Sequence, residues 1–218
     1  MGRALTAEAL GTMLLVAGVV GSGIMAERLT QDVALQLLCN TVATGAILTV
    51  LILVFAPVSG AHFNPAVSLA FLMRGEIAPG RAALYALVQC IGGVAGTVLA
   101  HLMFALPALA EGIKVRAGPN LWLAEFVATG GLLLTIFGCD RHGEGRVAPA
   151  VGLYIGAAYW FTASTSFANP AVTLARAFTP TFSGIQPQDV PFFVAAQFGA
   201  ALLLTHSISW IFRKTPSR

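Results

Sequence analysis

Long apolar stretches separated by short polar segments run along the whole chain. Six of them approach the roughly 20 residues that a helix needs to cross a bilayer, and they lie near 4–26, 33–56, 82–106, 121–139, 147–166 and 191–212. A bilayer core offers no water to backbone N–H and C=O groups, so spans of this kind must be helical. The pattern predicts an all-α membrane protein with six transmembrane helices.

Two shorter segments, 59–73 and 165–178, interrupt this pattern, one in each half of the chain. Each opens with small or polar residues, passes through Asn-Pro-Ala and then becomes apolar and helix-forming. Asn is a favoured N-cap and Pro a favoured first helical residue. The tripeptides therefore predict two re-entrant half-helices that begin at these residues: Asn64, Pro65 and Ala66 in the first half, and Asn169, Pro170 and Ala171 in the second.

Other polar residues inside the apolar spans repeat in the same order. Glu8 in the first span and Gln89 in the third correspond to Glu125 in the fourth and Gln197 in the sixth. We therefore expect a single membrane channel domain over 1–218, built as an inverted repeat with repeat one at about 1–106 and repeat two at about 119–213. Inverted repeats of this kind place discontinuous helices at the membrane midplane, along a pathway.

The composition agrees with a polytopic membrane protein. Of 218 residues, 57% are hydrophobic and 10% charged, with a mean hydropathy of +0.82, which is too apolar for a soluble domain. The cationic residues are scattered rather than gathered into a stripe, which argues against nucleic acid as a partner. Cys39, Cys90 and Cys139 have no metal-ligand spacing, so we expect neither a metal nor another cofactor.

Lys and Arg in the connecting segments predict the orientation, because cytoplasmic loops carry more of them. An inside N-terminus places Arg3, Arg74, Arg81, Arg141, Arg146, Arg213, Lys214 and Arg218 on the cytoplasmic side, against Arg28, Lys114, Arg116 and Arg176 on the other. Eight against four favours a multi-pass protein of the cytoplasmic (inner) membrane with both termini in the cytoplasm.

The stretches SGAHFNPAV at 59–67 and SFANPAV at 166–172, with the paired Glu and Gln residues, resemble the aquaporin and aquaglyceroporin family, also called major intrinsic proteins. The resemblance implies an aquaporin-like fold, a passive channel for small neutral solutes, and a homotetramer in the lipid bilayer with one pore in each subunit. Asn64 and Asn169 would cap their helices and turn amide N–H groups toward the lumen.

Unwound backbone beside the tripeptides must face a wet cavity, which makes its carbonyl groups candidate pore acceptors. They belong to Gly60, Ala61, His62, Phe167 and Ala168. Glu8, Glu125, Gln89 and Gln197 are expected to act as a scaffold for the backbone of these loops. A proton relay through the two carboxylates, which would make the protein an ion-coupled transporter, is the alternative. A membrane-embedded enzyme built on Ser59, His62 and Glu8 is a weaker alternative, because no motif brings these three together, and we expect no enzymatic activity.

The chain departs from the family pattern at Val172, where most relatives have Arg. Counting from the two asparagines as the family pattern directs, the other constriction positions are Thr44, Ala157 and Ser166. A shift by one residue in the segment 159–161 would change the position assigned to Ala157. This small, uncharged set predicts a wide constriction, since pore selectivity depends on diameter, lining hydrogen-bond groups and electrostatic barriers.

A wide constriction favours passage of neutral solutes larger than water, such as glycerol, urea-sized molecules or undissociated arsenous acid. The segment ANPAVTLARAF at 168–178 is similar to that of a bacterial aquaglyceroporin subgroup, part of which is associated with arsenic handling. The resemblance therefore implies passage of trivalent arsenite or methylated arsenicals. A strict water channel is the alternative.

Arg176 lies four residues after Val172, one helical turn further along. It either replaces part of the missing positive charge or, as we prefer from the sequence, points into the outer vestibule or pairs with Asp189. The sequence pattern does not decide between these two placements.

Overall fold

The protein is described by a computed structural model that covers residues 1–140 and 145–212. Four of the cationic residues used for orientation, Arg141, Arg213, Lys214 and Arg218, lie outside the described residues, as does His142. The described helices are α1 (Gly2–Leu29), α2 (Val33–Ser59), α3 (Pro65–Met73), α4 (Pro79–Met103), α5 (Pro119–Asp140), α6 (Val147–Phe161), α7 (Pro170–Arg176) and α8 (Val190–Ile211), with a 3-10 turn at Pro187–Asp189.

Helices α1, α2, α4, α5 and α8 are each long and apolar enough to cross a membrane. The fifth predicted span, 147–166, is shorter than expected, because α6 ends at Phe161. Thr162 has an extended backbone there, and its hydroxyl donates to the Ala158 carbonyl at 2.6 Å. The prediction of an all-α membrane fold is confirmed, with α6 as a crossing of about 22 Å.

Helices α3 and α7 begin at the prolines of the two Asn-Pro-Ala tripeptides. Asn64 Oδ1 accepts from the Ala66 N–H at 2.9 Å and the Val67 N–H at 3.4 Å. Asn169 Oδ1 caps α7 in the same way. The half-helices thus start with satisfied backbone donors, as the N-cap preference of Asn predicts.

Close crossings of the long helices depend on glycines. A Cβ atom on Gly92 or Gly96 of α4 would lie 2.3 Å from the carbonyl oxygen of Ala9 or Met13 of α1, respectively. On α6, a Cβ on Gly152 would lie 2.5 Å from the Gly45 oxygen, whereas one on Gly156 would meet ordinary van der Waals contact at 3.7 Å. The small residues at these crossings let the backbones touch.

Polar and apolar residues are distributed as a bilayer requires. Long apolar side chains such as Val50, Leu53 and Val54 of α2 are exposed on the outer surface, while Glu8 and Glu125 are fully buried. The hydrogen-bonding capacity of the chain is therefore concentrated inside the helix bundle, where the two half-helices lie.

We predict that Gly96→Ala lowers the thermal unfolding midpoint in detergent, because the new methyl group meets backbone and the helices must separate. The expected cost is about 1–3 kcal/mol, as for other overpacked sites. Gly80→Ala on the same helix is the matched control, since nothing lies within 4 Å of its Cβ position. Equal midpoints for the two variants, measured by tryptophan fluorescence, would contradict the close α1–α4 crossing.

Candidate functional site

The loops that precede α3 and α7 have the same unusual backbone. Three pairs of corresponding residues have positive φ: Gly60 (90°) and Thr165 (62°), Ala61 (50°) and Ser166 (47°), and Phe63 (49°) and Ala168 (49°). This region is unfavourable for residues other than Gly, at roughly 1–3 kcal/mol each. Such loops persist only if other contacts hold them.

Two buried carboxylates supply those contacts. Glu8 accepts from the N–H groups of His62 at 3.0 Å and Phe63 at 2.7 Å, and from the Ser59 hydroxyl at 2.6 Å. Glu125 accepts from the N–H groups of Phe167 at 2.9 Å and Ala168 at 2.8 Å. The loop donors are thereby satisfied without water.

A glutamine links each carboxylate to its half-helix. Gln89 donates to Glu8 at 2.7 Å and to the Ser68 hydroxyl at 3.2 Å. Gln197 donates to Glu125 at 2.6 Å and to Thr173 at 2.8 Å. The hydroxyl residues Ser68 and Thr173, which sequence reasoning missed, occupy the same position after their respective Asn-Pro-Ala tripeptides.

The two loops are also tied to each other. Asn64 Nδ2 donates to the Ala168 carbonyl at 2.7 Å, and Asn169 Nδ2 donates to the Phe63 carbonyl at 2.8 Å. One N–H of each amide thus joins the halves, while the second N–H has no acceptor among the described residues. The carbonyl of Ala168, expected to be a free pore acceptor, is already engaged by Asn64.

A cavity of about 440 Å³ passes this junction. Val147 and Tyr159, at opposite ends of α6, both line it, so it extends about 18 Å along that helix. Its polar lining residues are Thr44, His62, Asn64, Asp140, Tyr159, Ser166, Asn169 and Arg176. All five predicted carbonyl residues, Gly60, Ala61, His62, Phe167 and Ala168, also line it.

The remaining residues of the two tripeptides are not among the cavity-lining residues. Pro65 and Ala66, like Pro170 and Ala171, are buried at the first turns of α3 and α7. Their contribution is to the helix starts that hold the two asparagines beside the cavity.

Thr44, Ser166 and Val172 line the cavity, but Ala157 does not, and its predicted place in this set is wrong. Ala157 is exposed on α6. Side chains two residues apart on a helix point to nearly opposite sides, about 160° apart. Because Ile155 and Tyr159 face the cavity, Ala157 between them points away from it. Tyr159 occupies the place assigned to Ala157, with its hydroxyl donating to Thr44 Oγ1 at 3.2 Å. The cavity wall near Thr44, Ser166 and Val172 therefore includes an aromatic ring, which the sequence did not predict.

Arg176 does not pair with Asp189, which was one of the two placements preferred from the sequence. It is buried, lines the cavity and donates through Nε to the Ser183 carbonyl. Its guanidinium carbon lies 3.4 Å from the ring centre of Phe167. Asp189 instead accepts from the backbone N–H of Arg116 at 2.6 Å.

Arg116 is a second buried guanidinium near this end of the cavity, and sequence reasoning assigned it no contacts. Its side chain donates to the carbonyls of Gly184 at 2.9 Å and Ser164 at 3.1 Å. Burial lowers the pKa of Arg116 to about 10, and the side chain stays charged at neutral pH. Arg116 thus ties three connecting segments together without lining the cavity.

His62 both lines the cavity and holds its loop. Its Nδ1 lies 3.0 Å from the Ser68 hydroxyl, and its ring packs on Phe71 and Tyr85. The structure brings Ser59, Glu8 and His62 together, but the Ser59 hydroxyl donates to Glu8 and not to the imidazole. The Ser59 hydroxyl also accepts from the Ala61 N–H at 3.0 Å, so these contacts hold the loop. Over residues 1–140 and 145–212, no group of three or more His, Cys, Asp or Glu side chains is arranged to hold a metal ion.

We predict that Glu125→Gln destabilises the protein by about 1–3 kcal/mol, the cost of leaving a buried donor unsatisfied. The new amide keeps one acceptor oxygen, but its NH₂ group faces a backbone N–H donor of the loop, and two donors cannot bond to each other. The matched control is Glu111→Gln in an exposed connecting segment. Thermal unfolding in detergent should show a lower midpoint for Glu125→Gln alone. Indistinguishable midpoints would mean that the loop does not depend on this carboxylate.

Comparison with known proteins agrees with this architecture. The family model for the major intrinsic protein matches residues 1–166. The chain is 57% identical over 209 residues to Aquaglyceroporin AqpS of Rhizobium meliloti (strain 1021), covering 96% of this chain and 90% of that protein. It is 31% identical over 212 residues to a probable TIP-type alpha aquaporin of Phaseolus vulgaris, covering 92% and 82%.

Among solved structures, the aquaglyceroporin from Plasmodium falciparum has the same fold. The TM-score is 0.73 at 21% sequence identity, covering 97% of this chain and 95% of that one. Fold, half-helix geometry and sequence similarity agree. The chain is a multi-pass membrane protein that belongs to the major intrinsic protein family, whose members are channels and not enzymes.

Proposed function

We propose that this protein is a passive channel for small neutral solutes, namely water, glycerol and undissociated trivalent arsenite or methylated arsenicals. The observation that carries the proposal is the elongated cavity beside Asn64 and Asn169, where two amide N–H groups remain for a passing oxygen. Its wall is otherwise mostly apolar, with few hydrogen-bond groups, which suits neutral solutes. The high identity to a protein named an aquaglyceroporin supports the same conclusion.

The domain and its membrane placement form part of the proposal. Matched contacts of Glu8 and Glu125 support one channel domain over 1–218 with two repeats, about 1–106 and about 119–213. The described cations Arg3, Arg74, Arg81 and Arg146 sit at one end of the bundle, which favours both termini in the cytoplasm of an inner membrane. Arg176 then lies at the outer end. We further propose that the lipid-embedded channel is a homotetramer.

The proposed solute range depends on the outer constriction formed by Thr44, Tyr159, Ser166 and Val172. Val172 supplies no charge and no donor where most relatives have Arg, which leaves room for solutes larger than water. Tyr159 narrows this set relative to the sequence prediction, but its hydroxyl is held by Thr44. The arsenic part of the proposal rests on the likeness of segment 168–178 to one aquaglyceroporin subgroup.

The transporter alternative requires Glu8 or Glu125 to exchange protons with the pathway. Neither residue lines the cavity, and both carboxylates accept hydrogen bonds from loop backbone. We therefore propose the scaffold role for them, together with Gln89 and Gln197. A channel of this kind should conduct glycerol at the same rate with and without an imposed proton gradient, whereas a proton-coupled transporter should respond to it.

We predict that Val172→Arg lowers the fluxes of glycerol and arsenous acid at least about tenfold, the change produced by a barrier increase of about 1.4 kcal/mol, while sparing water flux. The added guanidinium narrows the constriction and places a positive charge there. Stopped-flow light scattering on proteoliposomes measures all three fluxes. Val172→Thr, which has a similar shape and no charge, is the control and should keep both solute fluxes.

If wild-type protein conducts water but neither larger solute, the strict water channel is the correct alternative. If wild-type protein conducts all three and Val172→Arg changes none of them, the solutes pass but Val172 is not at the constriction.

A second prediction tests the register of α6. Tyr159→Ala should admit a four-carbon polyol such as erythritol faster than wild-type protein, because it removes the aromatic ring from the cavity wall. Ala157→Leu should change no flux, because Ala157 is exposed. Both are measured in the same proteoliposome assay after size-exclusion chromatography has shown folded protein. Slower erythritol entry with Ala157→Leu would show that Ala157 lines the constriction after all and that the proposed register of α6 is wrong.

A further inference from the structure

We propose that Arg176 is a specificity-determining residue that sets the charge selectivity of the outer entrance, one helical turn beyond the uncharged constriction. It would repel cations and present N–H donors to neutral, oxygen-rich solutes. The inference rests on the proposed channel function and adds to it the residue that discriminates by charge.

The first argument is the position of the guanidinium. Arg176 is the last residue of α7, about 6 Å along the helix from Val172, and both residues line the same cavity. The side chain is 2% exposed and is fixed by Nε to the Ser183 carbonyl and by the Phe167 ring. The Arg176 side chain is therefore held in one conformation in the cavity wall.

The second argument is that no carboxylate among the described residues forms an ion pair with its guanidinium. Within the described ranges, the one ion pair closer than 4 Å joins Arg74 and Glu76 at the other end of the bundle. The nearest titratable groups include two more cations, Arg116 and Lys114. Burial is the main cause that lowers the pKa of Lys114 to about 8; Arg116 and Arg176 lower it further, and Glu27 opposes them.

Two carboxylates near this end, Asp189 and Glu125, act on Arg176 only from a distance, because their hydrogen bonds go to other groups. Asp189 accepts from the backbone N–H of Arg116, and Glu125 accepts from the loop before α7 and from Gln197. A buried charge without a carboxylate partner acts through a low dielectric and is felt strongly along a narrow entrance. Because Arg176 lines the cavity without such a partner, its positive charge acts on whatever enters there.

The third argument is unused hydrogen-bonding capacity beside it. In the described part of the chain, neither Nη group of Arg176 has an acceptor, and the Ser166 hydroxyl, 2% exposed and lining the cavity, has no partner. Buried polar groups are seldom left unpaired without a role. Here a solute bearing several oxygens would form hydrogen bonds with the Arg176 Nη groups and the Ser166 hydroxyl as it enters.

The test measures local charge selectivity directly. Ser166→Cys is placed in a background in which Cys39, Cys90 and Cys139 are replaced by Ala, and the purified full-length protein is reacted with a cationic or an anionic methanethiosulfonate. Intact mass spectrometry gives both modification rates, and their ratio is normalised to the ratio for a free thiol. Because both reagents attack the same thiolate, any effect of Arg176 on the thiol itself cancels in the ratio.

The anionic reagent should be favoured in the parent protein, and Arg176→Gln should shift the ratio toward the cationic reagent by at least about tenfold. Arg176→Lys retains the charge and should keep the parent ratio. Arg28→Gln is the matched control, since Arg28 is an exposed cation of the same end that does not line the cavity. If Arg176→Gln does not fold, Arg176→Met replaces it, because its unbranched side chain still packs on Phe167.

An unchanged ratio in Arg176→Gln, equal ratios in the Lys and Gln variants, or failure of both reagents to react with Cys at 166 would each overturn the proposal. Glycerol flux through wild-type protein is measured in parallel. No glycerol flux would refute the proposed channel function, whereas glycerol flux with an unchanged ratio would refute only the role of Arg176.

Discussion

The structure depends on satisfying backbone N–H groups where the bilayer offers no water. Two loops enter the bundle in left-handed conformations that residues such as Phe63 and Thr165 adopt only at a cost. Glu8 and Glu125 accept hydrogen bonds from the buried N–H groups of these loops and so hold this backbone in place. A buried carboxylate is costly by itself. Here each carboxylate accepts several hydrogen bonds, which stabilise its charged form and fix the loop.

The second constraint is that each half of the protein completes the other. Asn64 caps α3 and also donates to the Ala168 carbonyl, while Asn169 caps α7 and donates to the Phe63 carbonyl. Neither loop has its full set of partners without the opposite half-helix. The glycine crossing of α1 and α4, which brings Glu8 near Gln89, makes this arrangement possible. The geometry at the centre of the cavity therefore depends on how closely the long helices pack.

Much of this arrangement was predictable, because its signals are local or repeated. The caps of α3 and α7 follow from Asn followed by Pro, and the recurrence of Glu and Gln marked the buried carboxylates. The register of α6 was not predictable in this way. Counting back from Asn169 crosses a non-helical segment after Phe161, where residue number does not determine which side of α6 faces the cavity. Ala157 was chosen on that count, and Tyr159 faces the cavity instead. The partner of Arg176 was not predictable, because the Ser183 carbonyl lies in an irregular segment without a periodic pattern.

Separating size from charge has a physical consequence for a pore of this design. An arginine at the narrowest point limits diameter and repels cations with the same atoms, so widening the pore also removes the charge. Here the wall at Val172 is uncharged, while Arg176, one turn further along α7, supplies a guanidinium to the same cavity. Charge acts over several ångströms in a low dielectric, whereas steric exclusion acts only at contact. In the proposed channel, the entrance therefore keeps an electrostatic barrier while an uncharged constriction admits larger neutral solutes.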